Sequence, residues 1–204
     1  MNIYTYYEDV GFPKPEGLLK LWTESWKRQG WTPIILDREK AMQSSRFKRV
    51  LYAANVLPTV NERAYEIASY VRYCAMETIG GGFLVDYDCI NYSLKPESLA
   101  NVKKFALARL AEGGFTWMTH IGARRFCDMI IDWIGGEKPC MLLSGQPHLS
   151  DMHMAMFMEL PFLTEYCLGY NVQGWQKASI VHYNTNATGQ RDGKELLINE
   201  VRPL

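Results

Sequence analysis

The sequence has no apolar stretch long enough to cross a bilayer, and residues 1–9 lack the basic start and apolar run of a secretory leader. The expectation is a soluble chain with no integral membrane segment. It also has no surplus of either charge, with 22 Lys and Arg against 22 Asp and Glu, so no global field draws it to nucleic acid or to an anionic surface. Any anionic ligand must be gripped locally. Paired cysteines are missing as well. The five present, Cys74, Cys89, Cys127, Cys140 and Cys167, are odd in number, widely spread and never arranged as Cys-x-x-Cys, which argues against a disulfide framework and a zinc knuckle and for a reducing, cytoplasmic setting. No internal repeat, low-complexity tract or long linker divides the 204 residues, which suit one domain over 1–204 with a polar tail near 185–204.

What is present is a strand, helix, strand opening. Residues 2–7 are aromatic and β-branched and lead into a Gly- and Pro-containing loop. Over 15–29, Leu18, Leu19, Trp22 and Trp26 recur at helical spacing, Gly30 stands where a helix-ending glycine belongs, and 31–36 reads as a second strand. This order implies a right-handed crossover and a parallel sheet. A helix capped by Asn61 is expected through residue 78, with Ala64, Ile67, Ala68, Val71 and Ala75 on one face, followed by glycines and a buried strand over 83–85. Farther on, helices are expected over 96–100, 123–134 and 150–160, and strands over 115–119, 168–172 and 179–183.

Chemistry is concentrated at the end of that third strand. Asp86 and Asp88 are spaced i, i+2, and a turn at a strand exit can make such carboxylates converge on a hard divalent ion such as Mn²⁺ or Mg²⁺. Arg72, on the preceding helix, can grip a sugar hydroxyl or a phosphate oxygen bidentately, and Gly80, Gly81 and Gly82 let a backbone approach a ligand. The competing structural readings are a solvated turn for the aspartates and dipole compensation at a helix end for Arg72.

The run from Arg72 through Gly80-Gly81-Gly82-Phe83-Leu84-Val85 to Asp86-Tyr87-Asp88 resembles the Asp-x-Asp sugar-binding region of glycosyltransferases related to the yeast initiating mannosyltransferases and the glucosyltransferase domains of large clostridial toxins. The specific match covers about thirty residues, 61–90, and the earlier Trp26, Gly30-Trp31 and Asp37 look similar too. The resemblance implies an α/β, GT-A-like fold with a mostly parallel central sheet flanked by helices. It implies a UDP- or GDP-sugar donor, an acceptor it does not name, a divalent metal and, in most relatives, retention of anomeric configuration. The donor would be held by Ser69, Arg72, Gly81, Gly82 and Asp86, and the metal by Asp86, Asp88 and a late histidine, here His182. At Ser69 the chain departs from its relatives, which usually carry an aspartate there for the sugar hydroxyls.

Other positions keep two readings. Tyr4, Thr5 and Tyr6, on the first strand, either meet the nucleotide base or pack the sheet, and His182 is otherwise a surface histidine. Asp151 is either an N-cap or a catalytic group near the anomeric carbon, given His148 and His153 beside it. The alternating Met152, Met154, Met156 and Met158 suggest a buried helix. An aspartyl-phosphate enzyme fits poorly, because the Asp-x-Asp lies mid-chain. A binding domain with a decayed active site is the main alternative to a transferase.

Overall fold

The computed structural model describes residues 1–11, 14–104, 107–111, 115–135, 148–151, 153, 167–170, 172–188 and 194–204. Cys140 and the methionines at 152, 154, 156 and 158, with nearly all of the helix expected over 150–160, fall outside the described residues. A five-stranded sheet runs in the order β2-β1-β3-β6-β5. It comprises β1 (Asn2–Tyr6), β2 (Thr32–Leu36), β3 (Gly81–Val85), β5 (Leu107–Ala111) and β6 (Phe115–Thr119). The β2-β1-β3 half is parallel, as the crossover reading requires, whereas β6 joins β3 antiparallel and β5 joins β6 antiparallel. The sheet is therefore mixed. A small second sheet, ordered β4-β8-β7, contains β4 (Cys89–Asn91), β7 (Cys167–Gly169) and β8 (Ile180–His182).

Period-2 alternation sends neighbouring side chains to opposite faces of the large sheet. Ile3, Phe83 and Val85 pack toward helix α1 (Glu16–Arg28) and the small sheet, whereas Tyr4, Tyr6 and Leu84 pack toward a helical layer on the other side. That layer contains α2 (Arg38–Met42), α3 (Phe47–Val56), α4 (Arg63–Thr78) and α5 (His120–Gly135). Two cores result. Glu77 ties the layer together, accepting from Ser44 Oγ at 2.5 Å and Arg46 Nη1 at 2.8 Å, while Arg46 Nε reaches Asp128 at 2.7 Å.

Helix α1 aims its apolar stripe at the small sheet, and Trp26 on it and Trp31 just after it clamp the chain that follows the two aspartates. Trp26 Nε1 donates to Cys89 O at 3.1 Å, and Trp31 Nε1, beyond the helix, donates to Leu94 O at 2.8 Å. Helix α4 is buried on most sides only in its second half, from Tyr70 to Glu77, while Ala64 of the expected apolar face is exposed, and the helix ends where Gly80 adopts φ 85° with its N–H on Glu77 O. Asn61 does not cap it. Glu62 takes the cap position without a side-chain bond, and Asn61 Nδ2 instead donates to Glu66 Oε2 at 2.8 Å. The helix expected over 96–100 is a 3-10 segment, Pro96–Lys104. Helix α6 (Thr185–Thr188) and helix α7 (Lys194–Val201) occupy the C-terminal region. No helix among the described residues is long and apolar enough to cross a membrane.

Candidate active site

Strand β3 delivers Asp86 at its C-terminal end, and a tight turn follows in which Cys89 N donates to Asp86 O at 3.0 Å. The turn brings Asp88 in beside β8, where Tyr183 N donates to Asp88 O at 2.9 Å. With Trp26 holding the Cys89 carbonyl from the other side, the aspartates sit on a backbone fixed at three points.

Two groups of side chains meet there. In the first, Arg72 Nη1 donates to Asp86 Oδ1 at 2.5 Å and Arg72 Nη2 donates to Asp151 Oδ2, which also accepts from Tyr73 Oη at 2.9 Å. The segment carrying Asp151 is docked on α4 by Tyr70 Oη, which donates to Leu149 O at 2.8 Å. Asp151 is thus a buried partner of Arg72 and Tyr73 rather than merely a helix cap. In the second group, His182 Nε2 lies 3.1 Å from Asp88 Oδ1 and 3.8 Å from Asp86 Oδ2, while Lys194 Nζ lies 2.7 Å from Asp88 Oδ2.

Burial and charge act in opposite directions on these groups. Burial opposes the Arg72 charge, but Asp151, with Tyr73 and Asp86, outweighs it and raises the guanidinium pKa well above its ordinary value. For Asp86, burial prevails over Arg72 and His182, and the carboxyl is pushed up. Burial pushes Asp88 the same way, yet His182 and then Lys194 overcome it and hold the carboxyl well below the usual range. Two carboxyls in one turn are therefore shifted in opposite directions, Asp86 upward by burial and Asp88 downward by His182 and Lys194.

A divalent ion fits this donor set. Asp88 Oδ1 and His182 Nε2, 3.1 Å apart, offer one oxygen and one nitrogen donor that would hold such an ion together. Asp88, Cys89 and His182 together bring one donor atom each within 4.8 Å of one another. Cys89 pairs with His182 across the β4-β8 ladder, which is what gathers them.

The remaining expected residues divide. Ser69 lies one turn before Arg72 on the same face of α4, with its hydroxyl turned back to Glu66 O at 2.7 Å. Gly81 and Gly82 sit at the opposite end of β3 from Asp86, roughly 15 Å along an extended chain. A Cβ on Gly81 would lie 2.3 Å from Met118 O, and one on Gly82 would lie 2.6 Å from the Tyr4 ring, so close packing accounts for both glycines. Tyr4 and Tyr6 are core residues of the helical side, and Tyr6 donates to Glu8. Thr5 is fully buried on the other face, its hydroxyl without a hydrogen-bond partner among the described residues.

Sequence reasoning missed three residues. Tyr73 adjoins Arg72 and was legible in principle. Tyr65, 45% exposed, precedes Ser69 and Arg72 at i, i+4 and i+7 spacing, a helical face that could have been read. Its phenol is pushed up to about 12 by desolvation and by Asp86 and Asp88. Lys194 is 106 residues from Asp88 and carries no local signal.

The structure resembles the crystal structure of mouse xyloside xylosyltransferase 1 in its apo form, with a TM-score of 0.60 at 10% identity over 92% of this chain and 99% of that one. The likeness shows a GT-A-like fold. No curated protein matches the chain by sequence. Residues 1–115, which include Arg72, Asp86 and Asp88 and make up more than half of the chain, match the model of a domain of unknown function, DUF8765, and the chain belongs to that family.

Proposed function

We propose that the chain is a metal-dependent glycosyltransferase that moves a sugar from a UDP- or GDP-sugar to an acceptor hydroxyl with retention of anomeric configuration. The observation that carries this reading is the constellation at the C-terminal end of β3 in a GT-A-like fold. Asp88 stands beside His182 there, and Arg72 is held between Asp86 and Asp151.

Asp88 and His182 would hold Mn²⁺ or Mg²⁺, with Asp86 reaching the ion or the donor ribose. Such an ion, when bound, supplies charge neutralisation for the departing diphosphate. Arg72 and Ser69, on one face of α4, would orient the donor sugar, and Asp151 would fix the guanidinium plane while standing near the anomeric carbon. The bond from the anomeric carbon to the diphosphate breaks, a bond to the acceptor oxygen forms, and the acceptor proton leaves with the diphosphate. Fixed charges in a partly desolvated site need little reorganisation as this occurs, which is the main source of acceleration. The buried cysteines Cys74, Cys89 and Cys127, none of them in a disulfide, suit a reducing, cytoplasmic setting.

The test is calorimetric binding of UDP- and GDP-sugars with Mn²⁺, followed by product analysis. Asp88→Ala should abolish metal-dependent donor binding, and unchanged binding would refute the assignment. A second reading, a sugar-nucleotide-binding domain without turnover, is favoured by the internal occupation of both Arg72 Nη groups and both Asp88 oxygens. Donor binding without product over a broad acceptor panel would select it.

A further inference from the structure

Lys194 is 4% exposed, a rare position for a lysine, and its ammonium lies 2.7 Å from Asp88 Oδ2 while His182 takes Oδ1 at 3.1 Å. Both oxygens of the Asp88 carboxylate are thereby committed inside the protein. The backbone that presents Lys194 is firmly held. Ile198 is fully buried, and Glu195 packs so closely on α1 that a Cβ on Gly17 would lie 3.0 Å from its Cγ. Just after α7, the Arg202 guanidinium sits 3.7 Å from the Tyr92 ring centroid and donates to Trp175 O and Ala178 O at 3.2 and 3.1 Å. The reach from α7 to Asp88 is thus set by four methylenes on a fixed base, and only side-chain rotation is needed to break the contact.

Resting on the metal-site reading above, we propose that Lys194 is a tethered internal cation that occupies Asp88 until a divalent ion displaces it, and so sets the metal affinity of the site. The ion and the ammonium draw on the same carboxylate. An ion seated against Asp88 Oδ1 and His182 Nε2 would lie within a few ångströms of the Lys194 charge, and two cations so close repel each other. Binding of the ion therefore carries the cost of breaking a charge-assisted bond. In the metal-free state, the same contact relieves Asp88 of an uncompensated buried charge.

The experiment measures Mn²⁺ binding to the full chain by the loss of the free-ion electron paramagnetic resonance signal, together with thermal unfolding with and without Mn²⁺. The wild type is compared with Lys194→Met, Lys194→Gln and Asp88→Asn. Lys194→Gln keeps the length and a hydrogen-bond donor if the methionine variant does not fold. Neutralising Lys194 should tighten Mn²⁺ binding by roughly ten- to a hundredfold, the range expected for a charge-assisted hydrogen bond. The neutral variants should also unfold at lower temperature without metal and gain more from Mn²⁺ than the wild type does. A purely structural lysine would lower both unfolding temperatures equally. Equal or weaker Mn²⁺ binding by the neutral variants, with the wild type binding, overturns the proposal and leaves the metal site standing. Absence of Mn²⁺ binding by the folded wild type and neutral variants alike overturns the metal-site reading itself, and the proposal with it.

Discussion

Asp151→Asn isolates the bond on which the orientation of Arg72 depends. The Asp151 side chain is 5% exposed and that of Arg72 is 12% exposed, so the pair is nearly removed from water. Removing one partner of a buried ion pair costs about 3–5 kcal/mol. Asparagine keeps the shape and can still accept from Tyr73, and Arg72 retains Asp86, so the expected loss is nearer 2–3 kcal/mol, on the order of two neutralised charge-assisted bonds. For a chain of 204 residues that lowers the melting temperature by roughly 4–12 °C. Urea unfolding of the wild type, Asp151→Asn, Arg72→Met and the double variant completes a cycle, in which the double variant should cost less than the two single losses combined by about 1–3 kcal/mol. Asp151→Asn should also weaken donor-sugar binding, because the guanidinium would lose one of its two fixed directions. A stability change below about 0.5 kcal/mol, or strict additivity in the cycle, would refute the view that Asp151 positions Arg72.

Other predictions follow from the same geometry. Folding lowers the Asp88 pKa, so its contribution is present above the unfolded value of about 3.9 and lost as pH falls through the folded value. Asp88→Asn should therefore destabilise at pH 7 by about 3 kcal/mol, as for removing one partner of a buried ion pair, with the difference beginning to narrow below about pH 4 in urea titrations. Asp86 is raised by burial, so its contribution runs the other way and falls as pH rises through the folded value, and Asp86→Asn should cost less at pH 7 than Asp88→Asn does. Gly80→Ala should cost about 1 kcal/mol, because φ is positive but space is open, whereas Gly81→Ala, driven into the Met118 carbonyl, should cost about 3 kcal/mol or more by thermal unfolding. Trp26→Phe removes the bond to the Cys89 carbonyl and should lower donor affinity measured by calorimetry more than its stability loss of about 1–2 kcal/mol alone would suggest.

Much of the first half of the molecule was legible because its signals are local. Leu18, Leu19, Trp22 and Trp26 mark α1 by spacing, and β1, β2 and β3 lie within a residue or two of where composition puts them. The antiparallel half of the sheet was not legible, since the direction of β6 is set by where the chain crosses over and not by its own residues. Strand β4 has three residues, too few to show a period, and helix α3 carried Phe47, Val50, Ala53 and Ala54 at readable spacing that went unread. At the site, the Asp86-x-Asp88 pair is a short-range pattern. The links of Arg72 to Asp151 and of Asp88 to Lys194 span 79 and 106 residues, and only folding brings them together. The triple glycine suggests backbone freedom for approach to a ligand. Its spacing from Met118 and Tyr4 shows that two of its members are small because there is no room for a side chain.

The central claim is that the turn at Asp86 and Asp88 holds a metal-bound nucleoside diphosphate sugar, and calorimetric titration of UDP- and GDP-sugars in Mn²⁺ and in chelator tests it most directly. Donor should bind in Mn²⁺, at least tenfold more weakly in chelator, and not at all to Asp88→Ala. Donor affinity that is the same with and without metal, and the same in Asp88→Ala, would contradict it.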